Sequence, residues 1–309
     1  MDYKEFVKNI RTAIQEKLGI DYDIKIQKVT KNNNIILDGL IIRSKDKQFA
    51  PIIYLNSYYK HFKQGMPLSE IAEDVIDVYK ENASTAPGET KMLLDFNNLK
   101  DKVAYKLIQK EQNRKLLEDI PAFEYLDLAI VFYLILGENE GTQMTALIHN
   151  SHMVAWGTTK EELRELAMKN TPVLLPPVIR TMRDIMREIL KEQFEDLYVE
   201  ELFDDFMGED LGKPPLYVLS NRRQMNGSGC ILYKGCLEKF ASEQEADVVI
   251  LPSSQHEVIL IPDKGGLDYD DLQEMVRQIN ISEVPVEDVL SDGVYKYDRA
   301  KDQIDMLGK

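Results

Sequence analysis

The residues with the greatest chemical capability lie together in the sequence Ser254-Gln255-His256-Glu257. They supply a hydroxyl, an imidazole and a carboxylate, the groups with which a hydrolase activates a nucleophile and orients its base. In the predicted strand Glu257 points to the opposite face from His256, so these three cannot form a triad by themselves. Ser254 and His256 could still pair with a carboxylate from elsewhere. The alternative is a turn serine beside a structural histidine.

A second candidate is the sequence Asn221-Arg222-Arg223-Gln224, the one local basic spot in an acidic C-terminal half. Two arginines on a loop could hold a phosphate or a carboxylate, because a guanidinium group donates in a bidentate fork. The alternative is a solvated loop tip. The candidate binding residues of both stretches are Asn221, Arg222, Arg223, Ser253, Ser254 and His256.

Two histidines, His149 and His152, flank a predicted turn, and His256 could join them in space. A zinc site needs three or more such ligands that converge, and the alternative is a pair of polar turn residues. The chain has no phosphate-binding Walker loop, no G-x-G-x-x-G after a strand and no H-E-x-x-H. We therefore predict no cofactor, and no metal unless these histidines converge.

The charge balance excludes several classes of partner. The 309 residues include 38 Lys and Arg against 53 Asp and Glu, which gives a net charge of -15. Such a surface repels phosphate backbones and anionic membranes, so we expect neither nucleic acid nor membrane as a partner. The most apolar segment, residues 126–136, contains Asp127 and is far shorter than the ~20 residues that span a bilayer.

The two cysteines, Cys230 and Cys236, have a spacing that fits neither a redox C-x-x-C pair nor a zinc pattern. The first residues, MDYKEFVKNI, lack the apolar core of a signal peptide. We therefore expect reduced thiols and a cytoplasmic protein.

The elements that must position these residues begin with a hairpin at 246–262, where two apolar runs flank the polar turn 252–255. With these four residues as the loop, Leu251 faces His256 and Val249 faces Val258. One face then carries Val249, Leu251, His256, Val258 and Leu260, and the other carries Val248, Ile250, Glu257, Ile259 and Ile261. Because both faces are largely apolar, we expect the hairpin to lie inside a sheet that is covered on both sides.

Further elements follow from apolar periodicity. Helices are predicted at 3–18 and from Pro67 onward, with strands at 22–29 and 35–43 between them. The apolar run at 126–136 predicts a long buried strand, which continues as a meander through strands at 144–148 and 153–156. Pro176 and Pro177 predict the start of a long helix. Strands at 216–220 and 229–233 predict a second hairpin.

Hairpins separated by helices predict an α+β fold with mainly antiparallel sheet. Residues 82–89, which are rich in small residues with Pro and Gly, are the best linker candidate. We therefore divide the chain into a smaller N-terminal α+β region, residues 1–88, and a larger C-terminal α+β domain, residues 90–309.

Three stretches resemble a family of proteins from Gram-positive gut bacteria that is classified only as a domain of unknown function. They are YVLSN at 217–221, GCILYKG at 229–235 and LPSSQHEV at 251–258. APIIYLNSYY at 50–59 and NTP at 170–172 fit as well, so the similarity covers nearly the whole chain. Trp156-Gly157 and the elements after it are also similar to a second bacterial family of unknown function. The resemblance implies a bacterial, cytoplasmic α+β protein and supplies no activity and no catalytic residue.

Two function classes remain. The first is a non-enzymatic binding or adaptor protein that recognises a protein or a peptide, because no cofactor or triad signature occurs. The second is a hydrolase-like enzyme that uses His256 with Ser254 or a distant carboxylate. A cleft joining His256, Arg222 and an acid would favour the enzyme, and a packed His256 would favour binding. The oligomeric state stays open.

Overall fold

The computed structural model describes residues 1–44, 51–85, 95–139, 142–193 and 214–308. Within these ranges every strand pair between named strands is antiparallel, and helices separate the strands. The predicted α+β fold is therefore confirmed. The predicted linker at 82–89 and the domain boundary next to it lie partly outside the described residues, so the division at 88–90 stays a prediction.

In its described residues, the N-terminal region combines three α-helices with a three-stranded sheet in the order β1-β2-β3. Its elements are α1 (Tyr3–Leu18), β1 (Tyr22–Thr30), β2 (Ile36–Ser44), β3 (Ile52–Tyr54), α2 (Leu55–Lys63) and α3 (Leu68–Thr85). The predicted periodicity of α1 is confirmed, since Phe6, Ile10 and Ile14 are fully buried on one helix face. The buried residues of this core all lie between positions 6 and 79.

The second sheet has four strands and is built around the long strand that the apolar run predicted. Its elements are β4 (Val103–Gln109), α4 (Arg114–Leu117), β5 (Ala122–Tyr125), β6 (Leu128–Asn139) and β7 (Thr142–Leu147). β6 pairs with each of the other three strands. Two helices follow, α5 (Asn150–Trp156) and α6 (Lys160–Leu174). α6 is attached to β4, because the Tyr105 amide donates to Thr171 Oγ1 at 3.1 Å.

The third sheet has six strands in the order β13-β12-β10-β11-β9-β8, so the predicted hairpin, β10 and β11, lies at its centre. Its elements are β8 (Pro177–Thr181), α7 (Met182–Gln193), β9 (Tyr217–Asn221), α8 (Cys236–Gln244), β10 (Asp247–Leu251), β11 (Val258–Asp263), α9 (Tyr269–Ser282), β12 (Val294–Asp298) and β13 (Gln303–Leu307). Both faces of the hairpin are covered, as predicted. Val248 and Ile250 enter the main core, and Val249 and Leu251 enter a smaller core with Val276 of α9.

The pairing within the central hairpin differs from the predicted one. Leu251 pairs with Ile259, and Val249 pairs with Ile261. Paired residues share a face, so these four residues lie on the same face of the hairpin. The prediction that Ile259 and Ile261 lie on the face opposite Val249 is therefore wrong.

The reason for this difference is the length of the loop, which spans residues 252–257 rather than four residues. Ser254 forms an isolated bridge with Val289, and the Gln255 amide donates to the Asp288 carbonyl oxygen at 2.8 Å. Contacts with a distant segment therefore hold the loop and shift the register of β11.

The third strand of the predicted meander is also wrong, because residues 153–156 belong to α5. The helix start is fixed locally, since His152 Nδ1 accepts the His149 amide proton at 3.1 Å. Gly157 ends the helix with a φ of 64°, a left-handed conformation that glycine adopts without strain.

Two further predictions fail at β8 and β9. Residues 229–233 are not a strand but lie mostly in a 3-10 helix, Gly227–Leu232, because both edges of β9 are already paired with β8 and β11. Pro177 begins edge strand β8 rather than a helix, and α7 starts only at Met182. An edge strand tolerates proline because one of its sides needs no amide donors.

Candidate functional site

Ser254 and His256 lie in the loop between β10 and β11, but their side chains are not joined. The Ser254 Oγ accepts the backbone N–H of His256 at 3.0 Å, a local contact that serine often makes in turns. Within the described ranges, no hydrogen bond connects the Ser254 hydroxyl to the His256 ring. Ser254 is therefore not arranged as a nucleophile with His256 as its base.

The His256 ring contacts Asp288, a carboxylate 32 positions further along the chain, with 3.1 Å between Nε2 and Oδ1. Its other nitrogen, Nδ1, accepts the backbone N–H of Asn226 at 3.3 Å. A nitrogen that accepts an N–H carries no proton, so the proton of the neutral ring lies on Nε2 and points at Asp288. Both nitrogens are thus engaged, and neither is free to act as a base.

Asp288 is held by a second side chain as well. Gln255 Nε2 donates to the same oxygen, Oδ1, at 2.6 Å. The hydrogen bond from His256 holds the pKa of Asp288 below its ordinary value; burial opposes this shift, and the bond from Gln255 supports it. Ser253 contributes to the same network through its carbonyl oxygen, which accepts the Leu290 amide at 2.9 Å.

Gly227 allows this loop to approach the end of β9. A Cβ atom at this position would lie 2.2 Å from Ser220 Oγ and 2.4 Å from the His256 carbonyl oxygen. The two latter groups are themselves joined, because Ser220 Oγ donates to that oxygen at 2.7 Å. Only glycine fits between them, so the position of His256 depends on this close contact.

The predicted arginine loop is close to His256 only through its last residues. Asn221 is buried and closes the loop, since its Oδ1 accepts the Arg223 amide at 2.9 Å and its Nδ2 donates to the Met225 carbonyl at 2.8 Å. Arg222 and Arg223 are exposed on the loop. Asn226 is the residue of this loop that reaches the His256 ring.

The two predicted metal-ligand candidates form a local pair. His149 Nδ1 lies 2.7 Å from Asp119 Oδ2, and the His152 ring stacks on Trp156 with centroids 5.3 Å apart. Burial lowers the pKa of His152, and the nearby His149 acts in the same direction. In the part of the chain that the structure describes, no group of three or more His, Cys, Asp or Glu is placed to hold a metal ion. His256 does not join the pair.

A lysine that the sequence analysis missed interacts electrostatically with Asp288. Its strand neighbours Tyr105 and Leu107 belong to the main core, so Lys106 projects from the opposite face of β4, where it pairs with the fully buried Val131. Lys106 is partly exposed, and its side chain makes no hydrogen bond and no ion pair with any described residue. A lysine on an apolar sheet face normally has a partner.

The surroundings of Lys106 disfavour its charge. Desolvation lowers the pKa of Lys106 to about 8, and the positive charge of Lys31 acts in the same direction, whereas Asp288 opposes it. Lys31 Nζ itself lies 4.2 Å from the centroid of the Tyr54 ring. Asp288 is already hydrogen bonded to His256, so its single charge does not neutralise both lysines.

Two buried amide oxygens near Asp288 have no partner among the described residues. Asn32 Nδ2 donates to the Glu287 carbonyl at 2.7 Å, and Gln255 Nε2 donates to Asp288 and, at 3.4 Å, to the same carbonyl. Because Asn32 Nδ2 and Gln255 Nε2 must face these acceptors, the orientation of each amide group is fixed, and so is the position of its oxygen. Asn32 Oδ1 and Gln255 Oε1 are buried and accept no hydrogen bond from any described residue.

The turn between β1 and β2 brings Lys31 to this place. The backbone N–H of Asn33 donates to Asn113 Oδ1 at 2.7 Å, and Asn113 Nδ2 donates to Asn33 Oδ1 at 2.8 Å. Asn33 Nδ2 also donates to the carbonyls of Val286 and Val289 at 2.8 and 2.7 Å. We call the resulting group the junction site; it consists of Lys31, Asn32, Lys106, Gln255, His256 and Asp288.

Comparison with known proteins adds a family. The profile of a family of unknown function, DUF5688, matches residues 3–299 of 309. The chain belongs to the DUF5688 family. The predicted resemblance to a domain of unknown function over nearly the whole chain is therefore confirmed. No curated protein and no solved structure matches the chain.

The DUF5688 chain carries a sequence signal for the missed lysine. Lys106 interrupts the apolar run VAYKLI at 103–108, and a charge in the middle of a buried strand is uncommon. Its partners have no such signal, because they come from segments far apart in the chain.

Among the described helices, none is both long and apolar enough to cross a membrane.

Proposed function

We propose that the protein is a non-enzymatic binding protein that recognises a peptide or a segment of another protein at the junction site. One observation carries this proposal: the Ser254 hydroxyl and both nitrogens of His256 are used in hydrogen bonds within the protein. These residues therefore hold the loop in place, and they do not form a nucleophile and a base.

Backbone hydrogen bonds within the protein hold the loops around the junction site in position. The amides of Gln255, Leu290 and Ser291 donate to carbonyls of the neighbouring segment at 2.8 to 3.0 Å. A surface that is already ordered loses less conformational entropy when it binds. This rigidity supports a binding role.

The side chains near the junction site also fit a binding surface. The side chain of Val286, whose carbonyl accepts a hydrogen bond from Asn33, is 62% exposed. Ile36, just after the turn that carries Lys31, is 53% exposed. The Tyr54 ring lies below Lys31. Apolar and aromatic groups beside polar ones are the composition that protein interfaces use.

We further propose that the protein acts in the bacterial cytoplasm and binds neither nucleic acid nor membranes. The net charge of -15 supports the exclusion of both anionic partners. The two thiols, which are free and lie in the core or at its edge, support a reducing compartment.

Selection of peptides by phage display against the purified protein tests the binding proposal. Val286→Asp should weaken the binding of the selected peptides, because it places a charge on an exposed apolar residue beside the junction site. Val154→Asp is the matched control, since Val154 is 84% exposed on α5. Mass spectrometry should find the peptides intact after incubation. Equal binding by both variants, or cleaved peptides, would contradict the proposal.

The alternative is a hydrolase that uses His256, and the contact between His256 and Asp288 favours it. In such an enzyme a substrate would have to displace the Asn226 amide from Nδ1. A fluorophosphonate reagent distinguishes the two functions, because it labels an activated serine. We expect no labelling of Ser254; labelling that Ser254→Ala and His256→Gln both abolish would support the hydrolase.

A further inference from the structure

We propose that the junction site binds the C-terminal carboxylate of a peptide, with Lys106 and Lys31 holding the carboxylate and Asn32 and Gln255 accepting N–H groups of the same peptide end. This assignment rests on the proposed peptide-binding function and specifies which part of the peptide is recognised.

The two lysines provide the first step. Lys106 has no hydrogen-bonding or ionic partner among the described residues, and Lys31 has only the Tyr54 ring. The turn that follows Lys31 packs against β4, the strand of Lys106, and the charge of Lys31 disfavours the charged form of Lys106. Asp288, the acid that favours it, is engaged by His256 and Gln255. An anion that bridges the two ammonium groups would relieve this repulsion and supply the missing partner.

The two amide oxygens provide the second step. Asn32 Oδ1 and Gln255 Oε1 are buried without a donor, and both amides bond to the carbonyl of Glu287, next to Asp288. Buried acceptors gain from a ligand that brings N–H groups. The site thus offers two cations and two acceptors around the same two residues.

This combination selects among anions. A phosphate ion offers mainly acceptor oxygens, which would face Asn32 Oδ1, Gln255 Oε1 and the Asp288 carboxylate unfavourably. The end of a peptide carries a carboxylate and N–H donors only a few bonds apart. Capture of a terminal carboxylate is also an established mode of peptide recognition. The arrangement therefore fits a peptide end better than a simple anion.

Binding should be linked to the protonation of Lys106. A bound carboxylate raises the pKa of a lysine. The affinity for the peptide is therefore highest below about pH 8, the pKa of Lys106 in the free protein. The affinity should fall as the pH rises from that value through the pKa in the complex. A peptide that binds away from Lys106 would show no such dependence.

The test uses the full chain with carbon-13-labelled lysine, in which loss of a signal in Lys106→Met assigns Lys106. The probe is a library of N-acetylated tetrapeptides with free C-terminal carboxylates; the same library with C-terminal amides and inorganic phosphate are the comparisons. The carboxylate library should raise the titration midpoint of Lys106 by about one pH unit or more. The amide library should leave the midpoint unchanged.

Affinity for a peptide from the carboxylate library should fall roughly tenfold to a hundredfold in Lys106→Met, since a bond to a charged group is lost. Lys234→Met is the matched control, because Lys234 is exposed and has no hydrogen bond or ion pair among the described residues. If phosphate or the amide library moves the midpoint equally, or if Lys106→Met binds normally, the assignment is wrong. Normal binding by Lys106→Met would leave the proposed peptide-binding function intact, whereas a phage-display selection with free peptide C-termini that yields no binding peptide would remove both.

Discussion

Replacing Lys106 with methionine should raise the free energy of unfolding. The ammonium group lies on an apolar sheet face without a partner among the described residues, and methionine has a similar length without the charge. Removal of an unpaired, partly buried charge stabilises a protein, because its desolvation is not repaid. Residues kept for binding often carry such a cost in stability.

The magnitude follows from the pKa of Lys106. Its lowering from 10.5 to about 8 corresponds to about 3 kcal/mol, because one pKa unit equals about 1.4 kcal/mol. Below pH 8 the folded and unfolded states are both protonated, and the full cost is present. Between pH 8 and 10.5 the folded state loses the proton first, so the unfolded state binds more protons and stability rises with pH.

The assay is urea unfolding of the wild type and Lys106→Met at pH 7.0 and pH 9.5. The variant should be more stable by about 3 kcal/mol at pH 7.0 and by only about 1 kcal/mol at pH 9.5. Lys234→Met should match the wild type at both values, which removes the effect of other titrating groups. A destabilised Lys106→Met, or a difference that does not change with pH, would refute the reasoning.

Three further predictions concern the fold. Ile250→Ala should cost about 2–5 kcal/mol of unfolding free energy in urea, and Ile259→Ala less, because Ile250 is fully buried and Ile259 only partly; equal losses would contradict this burial. Burial raises the pKa of the Cys230 thiol to about 12 and that of the Cys236 thiol to about 11. A maleimide at pH 8 should therefore modify the native protein slowly, with Cys236 reacting first. In denaturant, without prior reduction, it should modify both thiols rapidly. Failure of either to react in denaturant would indicate a disulfide. Asn113→Ala should lower the free energy of unfolding by about 1–3 kcal/mol, because it leaves the backbone N–H of Asn33 unpaired. An unchanged urea midpoint would contradict this prediction.

The parts of the fold that the sequence predicts correctly are those with strong local periodicity. The buried stripe of α1, the long strand β6 and the covered strands β10 and β11 each follow from apolar spacing within one segment. The incorrect predictions share another property. The register of β11 depends on a loop that bonds to residues 288–291, and the segment at 229–233 depends on which edges of β9 are occupied. Neither is encoded locally.

The same distinction applies to the junction site. His256 stands out in the sequence because its chemistry is visible in one stretch. Its partner Asp288 lies 32 positions away, and the bond from Asn32 to Glu287 spans 255 positions. A pattern within one segment carries no information on such contacts. Lys106 is a charge in an apolar strand, which is a local signal, but the sequence does not show that the charges of Lys31 and Asp288 act on it.

The junction site should stay assembled without a ligand, and the magnitudes decide this. Asn33 takes part in four hydrogen bonds with Asn113, Val286 and Val289, which at about 0.5–1.5 kcal/mol each contribute roughly 2–6 kcal/mol. The repulsion between Lys31 and Lys106 is only part of the cost of about 3 kcal/mol on Lys106, because desolvation is the larger cause. The hydrogen bonds of Asn33 therefore outweigh the repulsion. A peptide end then meets both lysines already in place, and its binding energy is not needed to draw the two regions together.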